Sequence, residues 1–354
     1  MTDLLLVRPP GGRGPTLLPP LGLLYVAAAA RDAGYRVGVV DAAAEGLTWD
    51  ELRRRCAQVS PAVLGLGGYA PLLTETLESI QTLRGTCDSM VVGGPLASFG
   101  AAALLDEYRA VDAMIVGEAE TTIGPLLAWL HGDRSSATPR GVIARGHEYR
   151  PRTRTRELDT LPMPARDLVD THAYRYPLAT CKPVSTLITG RGCPHRCIFC
   201  DKTVGGSTPR LHSVGRVLAE MEEIVARSGP GYAVLFDDDF LIDRQRVVGV
   251  CEGLIERRLP LQWKCEARVD GLDAELLRLM RRAGCTTVAM GVESVSADSL
   301  MWLQKGTTPE QVRTAMGACR DAGIDILAYA LVGIPGETPA DVAATVDFCR
   351  GQGV

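Results

Sequence analysis

Three cysteines carry the clearest chemical signal in this sequence. Cys193, Cys197 and Cys200 lie within the run Thr-Gly-Arg-Gly-Cys-Pro-His-Arg-Cys-Ile-Phe-Cys that ends at residue 200. A C-x3-C-x2-C spacing supplies three thiolates, whereas a cubane iron–sulfur cluster normally takes four and a structural zinc ion takes four closed ligands. The spacing therefore predicts an iron centre with one coordination position left for a substrate or cosubstrate.

The cysteine loop follows a predicted strand, and other polar or glycine-rich segments also follow predicted strands. Strands predicted at 184–188, 233–236, 262–267, 287–291 and 325–332 alternate with helices and give five β/α steps. Parallel barrels place their active sites at the carboxyl ends of the strands. The residues at these ends are Asp237, Asp238, Asp239, Arg268, Glu293, Ser294 and 333–337. We expect them at one mouth, in a partial barrel that lacks its last strand.

The first part of the chain shows a second strand and helix alternation. Apolar runs at 4–7, 37–41, 62–67, 90–92 and 113–116 predict a parallel sheet with helices on both faces. Several strand ends carry glycine: Gly67, Gly68, Gly93, Gly94 and Gly117. Glycine at such a position either lets a large flat ligand approach the backbone or makes a tight turn, and the sequence leaves both readings open.

Length and composition predict two domains. The 354 residues are 46% hydrophobic and 23% charged, and we expect domains at 1–130 and 181–354 joined by a linker with a hairpin at 131–180. A net charge of -4 gives no general attraction to nucleic acid or to an anionic membrane. The sequence shows no signal peptide or membrane span, and its eleven cysteines are typical of reduced thiols, so we expect a cytoplasmic protein.

The cysteine loop resembles that of the radical SAM enzymes, in which C-x3-C-x-aromatic-C holds a [4Fe-4S] cluster with S-adenosylmethionine (SAM) on the fourth iron. Phe199 occupies the aromatic position. The runs 19–25, 91–95 and 116–121 are similar to the cobalamin-binding domain of the cobalamin-dependent members. The resemblance spans nearly the whole chain. It implies an α/β protein: a Rossmann-like, doubly wound cobalamin-binding domain followed by a partial (β/α) radical SAM barrel.

The resemblance also implies roles for individual residues. Cys193, Cys197 and Cys200 would be the cluster ligands. The residues expected to contact SAM are Phe199, Asp238, Arg268, Glu293, Ser294, Gly333 and Gly336. Those expected to contact cobalamin are Gly22, Gly67, Gly68, Gly93, Gly94, Gly117 and Glu118. The family's Gly-Gly-Glu stretch is replaced by Asp237 to Phe240, so the contact to the methionine amino group is left open.

No histidine lies at a strand end of the first domain, which predicts a base-off cobalamin without a protein histidine ligand. The expected reaction is methylation of an unactivated carbon of a small biosynthetic intermediate, with electrons from a flavodoxin or ferredoxin. No residue stands out as an acid or base catalyst. Two alternatives remain: a non-methylating cyclisation, ring contraction or oxidation with the same cofactors, and a cofactor-binding scaffold without turnover.

Overall fold

The protein folds as two compact units in a computed structural model that describes residues 2–11, 14–68 and 73–354. The first unit comprises Met1–Pro177 with Thr203–Gly205, and the second comprises Leu178–Lys202 with Gly206–Val354. Within the described ranges, no helix has both the length and the apolar character needed to cross a bilayer.

The first unit is built on a six-stranded sheet of β1 (Leu4–Arg8), β2 (Val37–Asp41), β3 (Val63–Gly67), β4 (Ser89–Gly93), β5 (Ala113–Ile115) and β6 (Val142–Ala144). The strand order is β2-β1-β3-β4-β5-β6, and the first five strands are parallel. These strands are short apolar runs because both faces of the sheet are covered.

Helices cover both faces of this sheet. They are α1 (Leu21–Asp32), α2 (Ala42–Glu45), α3 (Trp49–Val59), α4 (Leu73–Leu83), α5 (Pro95–Glu107) and α6 (Glu120–His131). Residues of α1 and α6 form the apolar core on one face, and residues of α3, α4 and α5 form the core on the other. The predicted doubly wound domain is thereby confirmed.

The segment after α6 contributes to the first sheet. Strand β6 pairs antiparallel with β5, with Ala113 opposite Ala144. A turn follows β6, and the amide of Gly141 donates to the carbonyl of Arg150 at 2.8 Å. Part of the stretch expected as a linker is thus an edge strand of the domain before it.

The second unit contains a parallel sheet in the order β13-β12-β11-β10-β7. Its strands are β7 (Val184–Leu187), β10 (Gly231–Leu235), β11 (Leu261–Ala267), β12 (Cys285–Glu293) and β13 (Asp325–Ala330), and a small antiparallel pair, β8 (Gly190–Arg191) and β9 (Arg210–Leu211), lies between the first two along the chain. The five predicted strands are all present, in the predicted partial barrel.

One face of this sheet is packed by helices. These are α7 (Val214–Ser228), α8 (Arg244–Glu256), α9 (Ala274–Arg282), α11 (Pro309–Asp321) and α12 (Pro339–Gly351), and the short helix α10 (Ala297–Trp302) lies between β12 and α11 along the chain. Trp263 of β11 is fully buried among Met280, Met316 and other apolar side chains of this layer. Because side chains alternate along a strand, every second residue of β11 to β13 lies on the opposite, inner face.

Candidate functional site

The cysteine loop is closed at its base by hydrogen bonds. Strands β8 and β9 pair at residues 190–191 and 210–211, so residues 192–209 form the loop between them. Just outside this pair, the amide of His212 donates to the carbonyl of Thr189 at 2.9 Å. Inside the loop, the amide of Cys193 donates to the carbonyl of Gly206 at 3.2 Å. The three cysteines therefore lie on a closed hairpin loop.

The aspartate run at the end of β10 contacts this loop and its base at three points. Asp237 accepts from the amide of Thr189 at 2.5 Å and from its hydroxyl. Asp238 accepts from the amide of Gly192 at 2.7 Å. Asp239 lies 3.7 Å from the imidazole Nε2 of His195, and it also caps a short turn by accepting from the amide of Leu241.

Arg246 completes this arrangement, and the sequence reasoning missed it. The side chain is 7% exposed. Its Nε donates to the carbonyl of His212 at 2.8 Å and its Nη2 to the carbonyl of Thr189 at 2.6 Å, so it joins both sides of the loop base. The sequence feature that could have identified Arg246 is its position four residues before Val250, which places a charged residue on the apolar side of α8. We refer to Asp237, Asp238 and Arg246 as the loop clasp.

The three thiols suit an iron–sulfur cluster. Cys193 and Cys197 are half-buried and Cys200 is exposed, and soft thiolates are the ligands that iron–sulfur clusters take. Burial raises the pKa of the Cys193 and Cys200 thiols, so binding of iron must drive their deprotonation. Nη1 of Arg268 lies 3.9 Å from Sγ of Cys197 and places positive charge beside the loop.

In the described ranges, no three His, Cys, Asp or Glu side chains are close enough together to hold one metal ion. A cubane cluster does not need such a group, because each cysteine binds a different iron atom. The donor set and the closed loop therefore fit a three-cysteine cluster.

A buried ion pair lies at the end of β12. Glu293 has a positive φ of 61° where the register with β13 shifts, a conformation that most residues avoid. Its Oε1 accepts from Nζ of Lys305 at 3.0 Å, and both side chains are less than 10% exposed. Lys305 Nζ also lies 5.8 Å from the ring centre of Phe199, and its carbonyl accepts from Arg268 at 3.0 Å. The structure thus brings Phe199, Arg268 and Glu293 together around Lys305.

Other predicted contacts of SAM are less clearly placed. Ser294 is fully buried, and its hydroxyl accepts from the amide of Ser296 at 3.1 Å. Gly333 and Gly336 have φ values of 89° and 85° in the turn after β13, and the amide of Gly333 donates to Glu337 at 2.7 Å. The positive φ values explain glycine at these two positions without a ligand.

The glycines of the first unit divide into two groups. The amide of Gly68 donates to the carbonyl of Gly93 at 2.7 Å, and a Cβ added at Gly94 would lie 2.6 Å from the carbonyl oxygen of Gly68. These glycines make a close contact between two turns. A Cβ at Gly22 or Gly117 would meet none of the described atoms within 4 Å. Both positions are therefore open among the described residues, and the positive φ of 79° at Gly117 by itself explains glycine there.

Glu118 and Gly67 have protein partners. Glu118 is paired with Arg152 at 3.3 Å, with side-chain exposures of 3% and 10%, and a Cβ at Gly67 would contact Leu23 at 3.1 Å.

The histidines of the first unit lie away from the carboxyl ends of its parallel strands. His131 ends α6 and packs against Tyr35, with 6.0 Å between ring centres. His147 packs against Trp129 at 5.2 Å, and His172 lies in a short turn at Thr171–Ala173. His147 lies in the turn after the antiparallel edge strand β6, where its amide donates to the carbonyl of Ala144 at 3.2 Å. Within the described residues, none of these imidazoles follows one of the five parallel strands.

Comparison with known families assigns both halves of the chain. The profile of the radical SAM superfamily matches residues 187–349, and that of the B12 binding domain matches residues 11–127. The chain belongs to the cobalamin-dependent radical SAM family. It is an enzyme of this class, with a [4Fe-4S] cluster, SAM and cobalamin as its cofactors.

Relatives named for different activities align over most of the chain. An uncharacterized methyltransferase of Pyrococcus horikoshii is 27% identical, over 94% of this chain and 73% of that protein. The anaerobic magnesium-protoporphyrin IX monomethyl ester cyclase of Rubrivivax gelatinosus is also 27% identical, over 94% of this chain and 62% of that protein.

A solved structure shares the fold. The radical SAM methyltransferase TsrM of Kitasatospora setae, with cobalamin and a [4Fe-4S] cluster bound, superposes with a TM-score of 0.81 at 23% identity. The match covers 100% of this chain and 71% of that one. At this identity the similarity establishes the architecture of the two domains.

Proposed function

We propose that this protein methylates an unactivated carbon atom of a small biosynthetic intermediate. The observation that carries the proposal is the closed three-cysteine loop at the mouth of the second sheet, in a chain whose described B12-binding domain has no histidine at its strand ends. With no histidine there to ligate it, a bound cobalamin would supply a cobalt centre suited to carrying a methyl group. When bound, the cluster and SAM supply a radical that removes hydrogen from the substrate, and cobalamin supplies the methyl group.

The residues of the second unit have positioning roles in this proposal. Cys193, Cys197 and Cys200 hold the cluster, and the loop clasp fixes the loop that carries them. Glu293, oriented by Lys305, is the proposed contact to SAM, and Phe199 packs beside the adenine. Precise placement of this kind accounts for much of the rate in enzymes whose cofactors perform the chemistry.

In the first unit we propose that cobalamin approaches the backbone at Gly22 and Gly117. The open space around their α-carbons supports this placement. We further propose that electrons come from a flavodoxin or ferredoxin and that the protein works in the cytoplasm.

A second candidate is a cyclisation or oxidation without methyl transfer. It is supported by the cyclase of Rubrivivax gelatinosus, which aligns with this chain at the same identity as the methyltransferase relative. Because both activities occur among the relatives, identity alone does not separate them.

The test is a product analysis under anaerobic conditions. The protein is reconstituted with iron, sulfide and hydroxocobalamin, reduced, and given SAM with a labelled methyl group. Formation of both 5′-deoxyadenosine and S-adenosylhomocysteine, with label on cobalamin, supports methyl transfer. Formation of 5′-deoxyadenosine alone, with cobalamin bound but unlabelled, supports the second candidate. Cys197→Ala is the control that should abolish SAM cleavage.

A further inference from the structure

A group of three titratable side chains lies on the inner face of the second sheet. In β11, Leu261, Trp263, Cys265 and Ala267 belong to the helix-covered core, so Lys264 and Glu266 lie on the opposite face. Tyr329 of β13 lies on the same inner face, because its neighbour Ala328 packs against the core. None of the three has a role in the proposed cofactor sites.

The three side chains are joined through one oxygen atom. Lys264 Nζ donates to Oε1 of Glu266, and the phenol of Tyr329 donates to the same Oε1 at 3.2 Å. Strand β12 lies between the two strands that carry them. Its residues opposite Glu266 and Tyr329 are Ala289 and Gly291, and these small residues leave space for the phenol to cross.

The exposure of these residues indicates an open polar site. Lys264 is only 2% exposed, and a buried lysine is rare unless it is paired. Glu266 is 21% exposed and Tyr329 is 43% exposed, so solvent or a ligand reaches the carboxylate from the Tyr329 side.

The second oxygen of Glu266 determines which ligand fits. Both protein donors use Oε1, and within the described residues no donor contacts Oε2. The site therefore offers a hydrogen-bond acceptor, and a ligand must supply the donor. Since Lys264 already balances the carboxylate charge, a neutral hydroxyl or N–H group suits the site without leaving a net buried charge.

The site also lies next to the proposed SAM contact. Gly291 is paired with Tyr329 across the two strands. The ion pair of Glu293 and Lys305 lies directly beside Gly291, because a Cβ at this position would lie 2.5 Å from Lys305 Nζ. Ala289, the β12 residue opposite Glu266, lies two residues before Gly291. A group bound at Glu266 would therefore lie next to the ion pair.

We propose that Glu266, held by Lys264 and Tyr329, is a substrate subsite for a neutral hydrogen-bond donor, a hydroxyl or an N–H group near the carbon that reacts. This inference rests on the proposed function, because it assumes that the inner face holds the substrate.

The test compares two probes of similar size, cyclohexanol and cyclohexanone. Their binding is measured by ligand-observed NMR titration of the oxidised protein loaded with cluster, hydroxocobalamin and SAM. The wild type should bind the alcohol about fivefold more tightly, the effect of one hydrogen bond. In Glu266→Gln, the new amide oxygen accepts from Lys264 and Tyr329, and the amide N–H₂ then faces the ligand. This variant should lose the preference for the alcohol, because the amide N–H₂ donates equally well to a hydroxyl oxygen and to a ketone oxygen.

Gln262→Ala is the matched control, since Gln262 lies on the same face four residues before Glu266 along β11. It should keep the wild-type preference for the alcohol. Equal affinities of the wild type for the two probes, or a preference for the alcohol that survives Glu266→Gln, would overturn the proposal. Label transfer from SAM to cobalamin, measured without probe, reports separately on the proposed function.

Discussion

The contact between Asp238 and the cysteine loop gives the sharpest prediction. Asp238 accepts from the amide of Gly192, the residue before Cys193, at 2.7 Å. Gly192 has a φ of 89°, so the loop leaves β8 through a turn that this carboxylate holds from the neighbouring strand. The Asp238 side chain is exposed, and Asp238→Ala should therefore weaken the loop without unfolding the second unit.

The size of the effect follows from the contact that is lost. A hydrogen bond to a charged acceptor contributes about 1.5 kcal/mol, which corresponds to about tenfold in the equilibrium constant for local opening. In the metal-free protein, amide hydrogen exchange over 190–196 should be about tenfold faster in Asp238→Ala. The iron concentration needed for half-maximal cluster formation should rise by a similar factor. Asp238→Asn keeps an acceptor and should change both values less than threefold.

The same variant tests the competing assignment of Asp238 as a contact to SAM. If Asp238→Ala raises the dissociation constant for SAM while hydrogen exchange and iron content stay at wild-type values, the carboxylate serves the cosubstrate. The reasoning from the loop clasp would then be wrong. Both readouts come from one protein preparation, so cluster loss cannot be mistaken for loss of SAM binding.

Three further substitutions test the surrounding contacts. Arg246→Met removes two hydrogen bonds from the loop base and should lower the free energy of unfolding by about 3 kcal/mol in urea titrations; a loss below about 1 kcal/mol contradicts this. Burial raises the pKa of Asp237 to about 6, so the native state holds a proton that the unfolded state has lost between about pH 4 and pH 6. The free energy of unfolding of the wild type should fall by about 3 kcal/mol as the pH rises through this window, and Asp237→Asn should remove that fall in urea titrations at each pH. If the variant shows the same dependence of unfolding free energy on pH as the wild type, the assignment to Asp237 is wrong. Gly291→Ala places a methyl group against Glu293 and Lys305 and should weaken SAM binding about tenfold in equilibrium titrations at constant iron content, whereas unchanged affinity would disconnect this ion pair from SAM.

Local sequence patterns determined the strands and the cysteine loop. The strand predicted at 37–41 coincides with β2, and the other predicted strands differ from those observed by at most two residues at an end. Apolar runs bounded by glycine and charged residues are local signals, and a parallel sheet covered on both faces requires them. The three cysteines could also be found from a local signal, because all three lie within eight consecutive residues of one loop.

The partners of these elements depended on the tertiary structure. The sequence did not indicate that β6 would join the first sheet, nor that Arg246 would reach the carbonyls of Thr189 and His212, more than thirty residues earlier. Strand order and register set such contacts, and no local pattern encodes them. Glu266 and Tyr329 meet only because β12 lies between their strands with small residues facing them. The sequence by itself determined the strands of the two parallel sheets and which three thiols we propose as iron ligands. The tertiary structure decided what holds the loop and which polar groups face the inner surface.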